Sequence, residues 1–159
     1  MADGVTAELL SKVSDIPADQ WDALNPRGNP FVSHAFLAAL EESGSVGPGT
    51  GWSPSPIIIR DADGVPAAAL PAYLKSHSQG EYVFDHGWAD AWHRAGGNYY
   101  HKLQIAAPFT PVPGTRLLAR DDAARLRLLR VLAIDGARGR GTAPSPSLTS
   151  LALPPEKER

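Results

Sequence analysis

Ile57-Ile58-Ile59-Arg60, Asp61-Ala62-Asp63-Gly64 and Val65-Pro66-Ala67-Ala68-Ala69-Leu70-Pro71-Ala72-Tyr73-Leu74-Lys75 form the stretch that decides the fold class. β-Branched and apolar residues flank a turn made of Asp and Gly, which is the pattern of a β-hairpin. Pro66 and Pro71 lack the amide hydrogen that a ladder needs, so the second strand is expected to kink or to face an edge at those points.

Helical patterns surround this hairpin, and together they give an α/β chain. Val5 to Ile16 reads as a first strand, and Pro17 suits the first turn of a short helix carrying Trp21 and Leu24. Asn25 to Pro30 is a loop. Ser33 is the expected N-cap of a second helix, with Phe36, Leu37 and Leu40 on its apolar face and Ser43-Gly44 as its stop. Glu41 and Glu42 sit at its negative end. Gly44 to Pro56 reads as a long flexible loop in which Trp52 is the exception. Trp88 to Ala95 makes two helical turns stopped by Gly96-Gly97, and Pro108, Pro111 and Pro113 make an extended connection. Asp121-Asp122 open a last helix with Leu126, Leu129 and Leu132 on one face, Arg125, Arg127 and Arg130 toward solvent, and Gly136 as its end.

The chain of 159 residues is one domain's worth, and a net charge of −2 gives no pull toward nucleic acid. Without cysteine there is no disulfide, thiolate nucleophile or Cys-ligated zinc. The amino terminus carries no leader signature and no apolar run is long enough to span a membrane, so a soluble, cytoplasmic protein is expected. Residues 1–136 are expected to be one folded α/β unit. Residues 137–159, rich in Gly, Ser, Pro and charge without a period, are expected to be a disordered or out-of-frame tail.

Three stretches carry a family resemblance. Asn29-Pro30-Phe31-Val32-Ser33-His34-Ala35-Phe36-Leu37, Tyr73 through Asp85, and Lys102-Leu103-Gln104 followed by Pro108-Phe109-Thr110-Pro111-Val112 resemble the amino-terminal half of the FemAB-like predicted N-acyltransferases. The resemblance covers about Ala7 to Leu132. It implies a GNAT-like acyl-CoA N-acyltransferase fold, a mixed sheet with flanking helices, usually as two units in tandem around the substrate. It also implies transfer of an acyl or aminoacyl group from an acyl-CoA or aminoacyl carrier to an amine, with a cell-wall precursor as acceptor. Members of the family continue with a strand and a further unit where this chain enters its Arg/Gly/Ser/Pro segment. A truncated or frameshifted product, inactive alone, is therefore expected, as is self-association through an uncovered apolar surface.

Between Gly80 and Gln104 the chain concentrates aromatic rings, imidazoles, carboxylates and glycines. Asp85 beside His86 is the candidate pair for taking a proton from an attacking amine. Trp88, Trp92, Tyr99 and Tyr100 can stack on a sugar or acyl acceptor, or Trp88 and Trp92 can form one buried stripe. Asp90, Lys75, Lys102 and Gln104 are the candidate polar contacts to substrate, with Arg94 a further cation. His86, His93 and His101 lack the spacing of a metal site, and no metal is expected. Arg138-Gly139-Arg140-Gly141-Thr142-Ala143 fits an acyl-CoA pyrophosphate loop only in composition, because neither a strand before it nor a helix after it is foreseen, so no cofactor is expected on this chain alone. A glycan-recognition module without catalysis is the alternative reading, and a nonfunctional fragment is another.

Overall fold

A computed structural model of the chain describes residues 6–82, 84–138 and 151–152, with side chains left out of account from residue 134 onward. The elements in chain order are β1 (Thr6–Leu9), α1 (Ala18–Asp22), α2 (His34–Glu42), β2 (Trp52–Pro54), β3 (Ile57–Arg60), β4 (Pro66–Leu70), β5 (Ala72–Lys75), α3 (His86–Arg94), β6 (Lys102–Ile105), β7 (Leu118–Ala119), α4 (Asp122–Arg138) and β8 (Leu151–Ala152). The strands form a five-stranded sheet in the order β7-β4-β3-β1-β8 and a three-stranded sheet in the order β2-β5-β6. The fold is thus α/β, but every described pairing is antiparallel, where a mixed sheet was expected. The β3–β4 hairpin accounts for one such pair directly, because a short turn can join only antiparallel neighbours.

Asp61 organises that turn. Its Oδ1 accepts from the amides of Asp63 (3.1 Å) and Val65 (2.9 Å), and its Oδ2 accepts from Arg120 Nη1 at 3.1 Å. Gly64 takes φ +78°, the left-handed conformation that costs glycine least.

Pro71 divides what looked like one kinked strand. Before it, Pro66–Leu70 pairs with β3, and after it, Ala72–Lys75 pairs with β2 and β6 in the other sheet. The missing amide hydrogen therefore falls where the chain leaves one ladder for the next.

The large sheet is covered on both faces, which explains the unbroken apolar run in β3. Ile57 and Ile59 pack with Ala7, Leu70, Leu128 and Val131 under α4, whereas Ile58 packs with Ala69, Leu118, Trp21, Val32 and Leu37 under α1 and α2. Burying each such isoleucine contributes about 1.5–3 kcal/mol. Trp21, fully buried, donates Nε1–H to the Val32 carbonyl at 2.9 Å, so its polar handle is satisfied.

Several expectations are corrected. Trp52 lies in a strand, β2, within the segment read as a flexible loop, because its ring packs against Val46 and Tyr73. The first strand ends at Leu9, and Pro17 caps α1 from outside rather than opening its first turn. In α4 the buried positions are Ala124, Leu128 and Val131, and Leu126 and Leu129 are exposed. Apolar residues occupy both sides of that helix, and the side holding Ala124, Leu128 and Val131 is the one packed with Ile57, Ile59, Ala67 and Ala68. Backbone helix continues past Gly136 to Arg138.

Ser33 caps α2 as expected, accepting from the Phe36 amide at 3.3 Å. Glu41 has its own work there, accepting from the Val13 amide at 2.8 Å and from Ser14 Oγ at 3.3 Å. Leu151 and Ala152 pair with β1; of the pyrophosphate-loop candidate Arg138 to Ala143, Arg138 ends α4 and Gly139 to Ala143 lie outside the described residues. Among the described residues no helix is long and apolar enough to cross a membrane.

Candidate functional site

Strand register assembles the site. Trp52, Lys75 and Lys102 occupy one row across β2, β5 and β6, and Pro54, Tyr73 and Gln104 occupy the row two residues along. Because alternate strand residues share a face, both rows project to the same side of the small sheet. Lys75 would stand beside Lys102 as an unrelieved like-charge pair if nothing lay above them.

The β5–α3 connection supplies the relief. Glu81 Oε2 accepts from Lys102 Nζ at 2.8 Å, and its Oε1 lies 3.5 Å from Lys75 Nζ. Lys75, fully buried, donates to the Gln79 carbonyl at 2.8 Å and rests its ammonium 3.5 Å from the Trp52 ring centroid. Trp52 Nε1 donates to the same carbonyl at 3.1 Å, so two residues of the sheet hold one point of the loop.

Lys102 also donates to Ser78 Oγ at 3.0 Å and to Asp85 Oδ2. Tyr99 donates to Asp85 Oδ2 at 2.8 Å, and Tyr100 shares a 2.8 Å hydrogen bond with Ser78. Burial opposes ionisation of Asp85, but the hydrogen bonds from Lys102, Ser78 and Tyr99 outweigh it and hold the carboxyl well below the usual carboxylate range. For Lys102, burial likewise works against the charge, and the bonds to Asp85 and Glu81 outweigh it and raise its pKa. Burial dominates at Lys75 and pushes it below the ordinary lysine range even with Glu81 beside it.

A cleft of about 270 Å³ opens beside this cluster, walled by Trp52, Phe109, Glu81, Tyr82 and Gln104. Phe109 stands at φ +56°, a left-handed backbone that a bulky residue seldom adopts, with its ring 5.1 Å from that of Trp52. Glu81 Oε1, Asp85 Oδ1 and Gln104 Oε1 are buried without a hydrogen-bond partner among the described residues. Two of these residues, Glu81 and Gln104, line the cleft. Glu81 Oε1 faces Lys75 Nζ at 3.5 Å, which leaves the Gln104 oxygen as the cleft-wall acceptor with neither an ion-pair nor a hydrogen-bond partner among the described residues.

The residues expected from sequence separate into two groups. Lys75, Asp85, Tyr99, Tyr100, Lys102 and Gln104 converge on the cluster and cleft. Lys75, however, is enclosed and holds the loop rather than offering itself to a substrate. Asp85 spends its carboxylate on Lys102 and Tyr99 and not on His86, whose exposed ring stacks on Phe84 with centroids 5.8 Å apart. Trp88 and Trp92 are 76% and 56% exposed, so they are not a buried stripe. With Asp90, His93 and Arg94 they stand at the surface of α3, and His101 is exposed just before β6. Among the described residues no group of His, Asp and Glu gathers as a metal site.

Glu81, Trp52, Ser78 and Phe109 were not singled out as site residues. A glutamate six residues after one lysine and 21 before the other carries no periodic signal, and only strand register shows that it bridges them.

The segment that builds this site lies within a match to a known family. Residues 12–143 match FemAB_like, described as peptidoglycan biosynthesis/recognition. The chain belongs to the FemAB-like family. No curated protein and no solved structure matches it. For a FemAB-like protein, every residue of the cluster from Trp52 to Phe109 falls inside the matched segment, so the site belongs to the part of the chain that carries the family character.

Proposed function

We propose that this FemAB-like unit acts in N-acyl transfer and that the Glu81 cleft receives the acceptor amine of a cell-wall precursor. The observation that carries this reading is a cleft with aromatic walls lined also by Glu81, whose Oε1 meets Lys75 at 3.5 Å, and by Gln104, whose amide oxygen has no donor among the described residues. An aliphatic arm packs against the Trp52 and Phe109 rings, and its terminal nitrogen reaches Glu81 and Gln104.

In the transfer the amine nitrogen attacks the carbonyl carbon of a thioester or ester donor. The carbonyl oxygen takes the negative charge, the carrier thiolate or alkoxide leaves, and the nitrogen gives up a proton, for which Glu81 is the nearest base on the cleft wall. Asp85 serves by holding Lys102, which in turn holds Glu81. The donor, an acyl-CoA or an aminoacyl carrier by family resemblance, enters as a second substrate. A GNAT-like unit is the fold reading that accompanies this function.

Calorimetric titration of a precursor stem peptide bearing one free side-chain amine tests the reading. The N-acetylated peptide should bind at least about tenfold more weakly, and Glu81→Gln should weaken the amine peptide by a similar factor. Equal binding of both peptides by the native protein would refute it.

The exposure of Trp88 and Trp92 favours a second reading, in which α3 offers their ring faces to a glycan without catalysis. A muropeptide whose affinity falls on Trp88→Ala with Trp92→Ala, and not on Glu81→Gln, would support that reading.

A further inference from the structure

We propose that the Glu81 cleft selects its amine in the unprotonated form, so that binding itself strips the ammonium of the proton that blocks attack. This rests on the reading of the cleft as an amine site and specifies the chemical state of the ligand it takes.

The inference follows from the charges around Glu81. Lys75 from β5 and Lys102 from β6 flank it, at 3.5 Å and 2.8 Å, and Asp85 lies beyond Lys102. Two ammonium groups thus face two carboxylates, and their formal charges already cancel. The other side chains around the cluster include the phenols Tyr73, Tyr82, Tyr99 and Tyr100, and β2 contributes the uncharged Trp52.

An arriving ammonium would be a third cation against two anions. It would bring three donors to a wall where Lys75 and Lys102 already share the Glu81 carboxylate and the Gln104 amide oxygen is the acceptor without a donor among the described residues. A neutral amine brings no charge, donates an N–H to the Gln104 amide oxygen beside Glu81, and keeps its lone pair. Lys75 already shows the penalty, since burial lowers its pKa despite the adjacent carboxylate. The balanced step is R–NH₃⁺ in water going to bound R–NH₂ with the proton released to buffer. The lone pair freed in that step is the one that attacks.

Proton counting tests this. The stem peptide with one free side-chain amine, protonated in solution at pH 7 because its pKa is about 10.4, is titrated into the intact protein in buffers of different ionisation enthalpy. A counterpart with hydroxyl in place of the amine is titrated in parallel. We expect about one proton released per amine peptide bound, an affinity rising about tenfold per pH unit from 7 to 9, and hydroxyl-peptide binding that releases no proton. Amine binding without proton release and flat with pH would overturn this inference and leave the amine site standing. Failure of both peptides to bind would overturn the amine site and this inference with it. In Lys102→Met the cluster turns net negative and admits ammonium, so proton release should fall. Undiminished release in a folded Lys102→Met protein would contradict the charge-balance argument.

Discussion

Lys75 and Lys102 stand directly opposite each other in the β5–β6 ladder, and Glu81 reaches both. Like charges in a cross-strand pair repel. The pair persists because a nearly enclosed carboxylate, 7% exposed in its side chain, lies against the two ammonium groups. Removing it leaves two cations facing each other with part of their hydration gone.

Glu81→Ala should therefore lower stability by about 3–5 kcal/mol, the usual cost of breaking a buried pair from one side. Adding Lys102→Met should restore part of that loss, which a double-mutant cycle in urea reads directly. Strict additivity of the two substitutions would show that Glu81 and Lys102 are not coupled.

Acid denaturation reports on Asp85. Its folded-state pKa is depressed, so its contribution is complete above the unfolded carboxylate value of about 3.9 and is lost as pH falls below that toward the folded value. Asp85→Asn should cost about 1.5–3 kcal/mol at pH 7, with the difference from the native protein shrinking between about pH 5 and pH 2. A difference constant over that range would deny Asp85 its bonds to Lys102 and Tyr99.

Gly80 gives a way to alter the cleft without touching a charge. Its φ is +78°, and an added Cβ would lie 2.7 Å from Phe109 Cε1 and 3.1 Å from Trp52 Nε1. The left-handed backbone costs about 1–2 kcal/mol with a side chain, and the displaced Phe109 ring should open one wall of the cleft. Gly80→Ala should melt only slightly lower yet lose most affinity for the amine peptide. Native affinity in this variant would mean that the ligand sits elsewhere.

The tryptophans divide sharply. Trp88→Ala and Trp92→Ala should each change stability by less than about 1 kcal/mol, since both rings are largely in water. Trp21→Ala should cost about 3–5 kcal/mol through the cavity it leaves and the loss of its bond to Val32. Thermal melts of the three variants compare them.

These divisions show what sequence could and could not convey. The β3–β4 hairpin and the Ser33 cap were legible because their signals are local, an Asp/Gly turn between β-branched residues and a serine before an apolar helix. The separation of β4 from β5 was half legible, since Pro71 marked a kink but not a change of sheet. Trp52 in β2 was hidden by the glycines and prolines around it. The buried face of α4 could not be chosen from a helix apolar on two sides; it is set by packing against β3 and β4, which are distant in the chain. For the site, Lys75, Lys102 and Gln104 were named, but their meeting on one face depends on the register of β5 against β6, a relation between segments far apart in the chain. Glu81 was missed for the same reason.

The location of the acceptor is tested most directly by the indole N–H resonances of the four tryptophans, assigned by Trp→Phe substitution, during titration with the amine-bearing stem peptide. Trp52 forms a wall of the cleft and donates its indole N–H to the Gln79 carbonyl, whereas Trp88 and Trp92 lie in the open on α3. The account predicts that the Trp52 indole resonance shifts with the ligand, that Trp88 and Trp92 stay in place, and that Glu81→Gln moves the midpoint of the shift to about tenfold higher ligand concentration. Movement of Trp88 and Trp92 with Trp52 unchanged would contradict it and put the ligand on α3.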